Sequence, residues 1–223
     1  DLTDHSVEGR GRHPLPSGSS LRAAARRWGV KTGVPVVVYD DWNRAGSARA
    51  WWVLTAAGVP DVRILDGGLA AWTGELQTGT VSSEPGDVTV AYEDLYAGAR
   101  ATVTADEVDR AGVLLDARAP ERFRGEVEPV DAVAGHIPGA RNAPSTGLLS
   151  SDGALQSESE LTALFADRGV DAHSDVAVYC GSGVTAAVVI AGLASVGVDA
   201  ALFPGSWSQW SSESSRPVAV GEG

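Results

Sequence analysis

The chain has one cysteine, one lysine and no methionine in 223 residues. A lone cysteine, Cys180, cannot form an intramolecular disulfide, which excludes a stapled secreted scaffold and makes a reducing compartment, the cytoplasm, the expected setting. The absence of methionine, the initiator included, points to a processed or truncated chain. Positive charge is scarce: 17 Lys and Arg face 29 Asp and Glu, a net charge of -12. Such a surface lacks a general attraction for a phosphate backbone or an anionic bilayer, so neither nucleic acid nor membrane is an expected partner. A local arginine cluster could still hold a small anion. Long hydrophobic runs are missing too. The longest, residues 184–198, is broken by Gly and Ser and spans about 15 residues, too few to cross a bilayer; it reads as a buried helix. No charged-then-apolar leader opens the sequence. The histidines at 5, 13, 136 and 173 are scattered, with no Cys/His cluster at metal-ligand spacing, so no metal or other cofactor is expected. What the chain has in quantity is apolar residues, 43% of the total, enough to build a core and to exclude disorder.

The sequence repeats itself. Trp28-Gly29-Val30, followed by Val36-Val37-Val38-Tyr39-Asp40, is answered by Arg168-Gly169-Val170, followed by Val176-Ala177-Val178-Tyr179-Cys180, at an offset of about 140 residues. Leu65-Asp66-Gly67-Gly68 with Trp72 is answered by Phe203-Pro204-Gly205-Ser206 with Trp210. Each copy reads as a βαβ unit: a strand without polar alternation (34–39, 175–179), as in a parallel sheet buried on both faces, a helix (47–57, 183–196), a second strand (62–65, 200–203) and a short Trp-bearing helix. The second copy adds a helix from Thr104 to Ala111, a strand at 113–116, the turn Gly135-His136-Ile137-Pro138-Gly139-Ala140 and a helix around 157–168. The first copy lacks a counterpart of this upstream part. The expected fold is therefore α/β, with two similar domains, each a mostly parallel sheet flanked by helices, the first lacking its N-terminal part. Their expected bounds are 1–75 and 102–223. A Gly/Ser/Thr-rich linker, 76–101, joins them; it holds a possible strand at 88–92 and two tyrosines, Tyr92 and Tyr96, that pin it to a domain surface.

The sharpest chemical signal is Tyr179-Cys180-Gly181-Ser182-Gly183-Val184-Thr185, between a buried strand and a helix. Glycines let successive N–H groups turn inward, and a helix N-terminus adds positive potential, so a thiolate there is stabilised and nucleophilic. A buried, inert cysteine is the plainer alternative. Cysteine phosphatases share this plan but need an Arg six residues on, and Ala186 stands there, which disfavours phosphate-ester hydrolysis.

The repeat, Asp116-Ala117-Arg118 followed by Glu121-Arg122-Phe123, the Gly135–Ala140 turn, the Cys180 loop and Gly205-Ser206-Trp207-Ser208-Gln209-Trp210 together resemble a tandem-domain rhodanese. The resemblance implies a catalytic C-terminal domain, an inactive N-terminal copy with Asp40 in place of the cysteine, and an active site between them. The loop resembles that of 3-mercaptopyruvate sulfurtransferases, whereas thiosulfate sulfurtransferases place cationic residues after the cysteine. The resemblance implies sulfur transfer through a Cys180 persulfide, from a small anionic donor to a thiol such as thioredoxin or to cyanide. Gly181, Gly183, Val184 and Thr185 then surround the persulfide, Arg122 binds the donor's carboxylate, and Ser182 and His13 form a proton relay. The chain departs from the pattern where a second carboxylate-binding Arg is expected: Val130 and Asp131 stand there. Arg124, Arg44 and Arg49 are the expected substitutes. Thiosulfate as donor, or a relay that takes sulfur from another protein, are the alternatives. Asp116, Arg118 and His136 are expected to be structural, Thr185 to close the loop, Trp51 and Trp52 to pack, and Trp207 and Trp210 to pack or line the rim.

Overall fold

The computed structural model describes residues 1–81 and 83–223; Ser82, inside the expected linker, lies outside the described residues. The first unit runs α1 (Gly18–Arg27), β1 (Val36–Val38), α2 (Ala45–Ala56) and β2 (Val62–Ile64). Helix α1 starts where the Ser17 hydroxyl accepts the Ser20 N–H and ends on Arg26 and Arg27, which suit the negative end of the helix dipole. β1 and β2 pair in parallel as a two-stranded sheet. Val37 is 55% exposed, so β1 is not the doubly buried strand its composition suggests.

The second unit is larger: β3 (Val113–Asp116), α3 (Pro120–Phe123), β4 (Arg141–Asn142), α4 (Glu158–Ala166), β5 (Val176–Tyr179), α5 (Ala186–Ser195), β6 (Ala200–Leu202) and α6 (Ser206–Trp210). The strand order is β4-β3-β5-β6, all parallel. All four residues of β5 are buried, as a central strand with helices on both faces requires. α4 begins at a capping box, Ser157 with Glu160, which satisfies two helix-end donors at once. The expected helix after Thr104 forms only a 3-10 turn at Val108–Arg110, although Glu107 reaches back to accept the Thr104 N–H and hydroxyl.

The segment 88–92 forms no strand. Its backbone bonds instead to the ends of first-unit elements: Val88 N to Val30 O at 3.2 Å and Ala91 N to Ala57 O at 2.9 Å. Tyr96 does pin the chain, its hydroxyl accepting the Leu15 N–H at 3.1 Å. Helices α2 and α5 pack together, and one apolar core runs through both units, joining Leu21, Trp52 and Leu54 to Leu115, Val189 and Leu193. Burial of this kind, roughly 25 cal/mol per Å2, holds the first unit against α5, the helix that follows β5, and so beside the C-terminal end of that strand, where parallel sheets bind ligands.

Candidate active site

Cys180 directly follows β5 and is 2% exposed. The Gly183 N–H donates to its Sγ at 3.1 Å. Gly183 has φ +79, and a Cβ there would lie 2.5 Å from the Pro204 carbonyl oxygen, so the turn that aims this N–H at sulfur requires glycine. The loop is clamped to α6: Cys180 N donates to Ser206 Oγ at 3.1 Å, Trp207 N to Cys180 O at 3.0 Å and Ser208 N to Gly181 O at 2.9 Å.

The first unit supplies three side chains. His13 Nδ1 lies 2.7 Å from Ser182 Oγ. Burial lowers the His13 pKa below its ordinary value, and the positive charges of Arg49 and Arg12 lower it further, so its imidazole is neutral at physiological pH. Arg49, on α2, donates to Gly183 O at 3.1 Å, His13 O at 3.0 Å and Leu2 O at 3.2 Å. Burial pulls this guanidinium down to about 10, while a negative charge on Cys180 opposes that shift; Arg49 therefore stays positively charged beside the loop at neutral pH. Arg12 rides on a loop held tightly over the second unit. Its N–H donates to Ser208 Oγ at 3.0 Å, and a Cβ on the preceding Gly11 (φ +80) would run into the Gly205 carbonyl.

Two guanidiniums meet above Gly181. An atom at the position of a Gly181 Cβ would lie 3.2 Å from Arg12 Nη2 and 3.4 Å from Arg122 Nη1. Two carboxylates hold them. Glu128 accepts from Arg122 Nη2 at 2.7 Å, and Asp131 bridges the pair, Oδ1 with Arg12 and Oδ2 3.5 Å from Arg122. Burial opposes ionisation of Glu128, but the Asp131 and Val130 N–H groups and Arg122 outweigh it and hold its pKa below the usual range. The arrangement is a shielded thiol with amide, hydroxyl and cationic neighbours, and a carboxylate-paired couple of guanidiniums above its loop.

Comparison with known proteins agrees in extent and in kind. A family model, the rhodanese-like domain, matches residues 7–75 and 100–213. The chain is 63% identical over 225 residues to a Mycobacterium tuberculosis protein named "Putative thiosulfate sulfurtransferase SseB", an alignment covering 99% of this chain and 79% of that protein. It is 44% identical over 221 residues to the "Probable 3-mercaptopyruvate sulfurtransferase" of Pseudomonas aeruginosa, covering 95% and 77%. Among solved structures, the 3-mercaptopyruvate sulfotransferase SseA from Escherichia coli superposes with a TM-score of 0.79 at 38% identity, covering 93% of this chain and 79% of that one. The chain belongs to the rhodanese family. It is a sulfurtransferase with two rhodanese-like segments.

In this rhodanese the fold brings Cys180, Gly181, Ser182, Gly183, His13 and Arg122 together. Val184 is partly buried beside them, and Thr185 caps α5 without a side-chain cap bond, so its hydroxyl does not close the loop as expected. Of the expected substitutes for the missing arginine, Arg124 pairs instead with Glu126 at 2.8 Å, and Arg44 lies beside Asp40 at 3.9 Å. Arg49 reaches the loop, but at the Gly183 carbonyl rather than beside Arg122. The residue that faces Arg122 is Arg12, which sequence reasoning missed although it adjoins His13; Glu128 was missed as well. Among the described residues no carboxylate hydrogen-bonds His13; its aromatic neighbour is His5, edge-on at 6.0 Å between ring centroids.

The residues expected to be structural behave so. Arg118 bonds Asp116 and the Gly135 carbonyl, and His136 Nδ1 contacts Phe123 O at 2.8 Å. Trp207 and Trp210 are core residues, their indole N–H groups donating to Val133 O and Pro217 O. No helix among the described residues is long and apolar enough to cross a membrane.

Proposed function

We propose that this sulfurtransferase takes its sulfur from 3-mercaptopyruvate, with Cys180 as nucleophile. The observation that carries this reading is the 2.7 Å contact between His13 and Ser182, two residues from the sulfur. A 3-mercaptopyruvate donor leaves as a carbanion equivalent and needs a proton; sulfite leaving from thiosulfate needs none.

The Cys180 thiolate attacks the donor's sulfur. An S–S bond forms, the C3–S bond breaks and its electron pair passes into the enolate of pyruvate. The proton carried by the donor's thiol is released from the new persulfide and delivered to C3 through Ser182 and neutral His13, leaving pyruvate and Cys180–S–S⁻. The Gly183 N–H and Arg49 stabilise the sulfur anion in both states. Arg122, with Arg12, orients the donor's carboxylate. An acceptor thiolate, such as that of thioredoxin, or cyanide then attacks the outer sulfur and frees the Cys180 thiolate, so the kinetics are ping-pong. Residues 102–223 act as the catalytic domain, 1–75 as an inactive domain that completes the site, and 76–101 as the linker.

The test is a pair of initial-rate assays, pyruvate release from 3-mercaptopyruvate and thiocyanate formation from thiosulfate and cyanide. The reading expects kcat/KM to favour 3-mercaptopyruvate, and the His13→Asn variant to lose that activity but keep any thiosulfate activity. Preference for thiosulfate, insensitive to His13, overturns it. Thiosulfate is the second reading, favoured by the name of the M. tuberculosis relative.

A further inference from the structure

We propose that Asp131 is a built-in carboxylate ligand for the Arg12–Arg122 pair and thereby the residue that sets donor selection: a donor's carboxylate binds by displacing it. The inference rests on the reading above, in which these two arginines receive that carboxylate.

The Asp131 side chain is 7% exposed and bridges both guanidiniums directly above Gly181. That is the position a donor carboxylate must reach if its sulfur is to meet Cys180. The bridge is incompletely satisfied: Asp131 Oδ2 and Arg122 Nε are both buried without a hydrogen-bond partner. A free carboxylate able to approach Arg122 side-on would pair donors that Asp131, tethered by its backbone, leaves unpaired. The tether itself stays behind on displacement. Glu128 Oε1 accepts the N–H groups of both Val130 and Asp131, at 3.1 and 3.0 Å, so the turn is fixed at Glu128 and only the Asp131 side chain has to swing. It belongs to an irregular stretch flanked by exposed Val130 and Val133.

Charge gives a second consequence. Arg12 and Arg122 are matched by Glu128 and Asp131, which leaves the mouth with no net attraction for an anion. Removing the Asp131 charge leaves one positive charge in surplus.

The experiment uses pyruvate, the carboxylate product, as an unreactive probe. Its affinity for the full chain is measured by titration calorimetry in the native protein and in Asp131→Asn, which keeps the side-chain shape. With the internal competitor gone, pyruvate is expected to bind at least about fivefold more tightly. KM for 3-mercaptopyruvate is expected to fall by a similar factor with kcat within about twofold, since only ground-state access has changed. Adding Arg12→Gln to Asp131→Asn should cancel the gain. Unchanged or weaker pyruvate binding in a folded Asp131→Asn, and again in Asp131→Ser, overturns the inference and leaves Asp131 as a brace for Arg122. The two readings fail separately. A chain that gains pyruvate affinity but transfers no sulfur from 3-mercaptopyruvate overturns the proposed donor alone; one that transfers sulfur without that gain overturns the role of Asp131 alone.

Discussion

The two strand-to-helix loops of the repeat start from the same backbone plan and end in opposite chemistry. In the second unit the loop opens on Cys180, whose sulfur accepts the Gly183 N–H. In the first it opens on Asp40, whose carboxylate accepts the Ser47 N–H at 2.6 Å and the Trp42 N–H at 3.0 Å. Burial opposes the charge on Asp40, but these bonds prevail and its pKa is lowered. One loop turns the Gly183 amide toward a thiol; the other turns the Trp42 and Ser47 amides toward a carboxylate, which has no sulfur to carry. Backbone strain follows the division. The active loop turns on Gly183, at φ +79, whereas the silent one places Asn43 and Arg44 at φ 47 and 62, conformations that cost a residue with a Cβ about 1 kcal/mol or more. A loop that must bring an amide to sulfur cannot carry a side chain at that turn; a loop that only caps a helix can.

The largest expected effect separates the two anions directly. Cys180→Ser should lower sulfur transfer from any donor by at least about a thousandfold, whereas Asp40→Ala should leave transfer intact and cost about 1 kcal/mol of stability as a lost helix cap, read by urea unfolding. Next comes Arg49, which ties the first unit to the Cys180 loop through the Gly183 carbonyl and braces its own unit through the Leu2 and His13 carbonyls. Arg49→Gln should destabilise by about 3 kcal/mol, because it orphans buried acceptors and removes their charged donor; equal urea midpoints for variant and native chain would show that the units hold together without it.

In the proposed mechanism His13 is the first unit's contribution to proton transfer. Its folded pKa lies below the ordinary 6.5, so the neutral imidazole persists as pH falls through 6.5 and is lost only below that. The stability associated with the neutral state follows the same rule: it is present above the unfolded pKa and lost as pH falls through the folded one. The acid limb of kcat/KM for 3-mercaptopyruvate should therefore lie below pH 6.5, and His13→Asn should lower kcat by about a hundredfold. The smallest contrast is at the turns. Gly183→Ala should cost about 2 kcal/mol, from its positive φ and its contact with Pro204, while Asn43→Gly should change stability by less than about 1 kcal/mol.

The repeat itself was legible from Val36-Val37-Val38-Tyr39 and Val176-Ala177-Val178-Tyr179, because a strand inside a parallel sheet leaves a short run of apolar residues. β5 meets that expectation; β1 does not, since Val37 lies in a two-stranded sheet with one face open. The Tyr92 stretch misled for a related reason: alternating apolar residues served to pack a covalent link against helix ends rather than to form a strand. Cys180, Gly181, Ser182 and Gly183 were readable as one loop because they are neighbours in sequence between a strand and a helix. Arg12 was not. It lies 169 residues from the Gly181 carbonyl it approaches, and nothing local distinguishes it from Arg10, which stacks on Tyr96 instead.

The sequence alone determined the α/β repeat, the placement of one cysteine between a strand and a helix, and the carboxylate at the matching place in the first copy, because each is a matter of local residue type and period. Only the tertiary structure decided which arginines gather at the Cys180 loop and what they already hold. Arg12, Arg49, Arg122 and Asp131 come from distant positions in both units, and their meeting depends on how α2 packs against α5 and on how closely Gly11 lets the first loop approach.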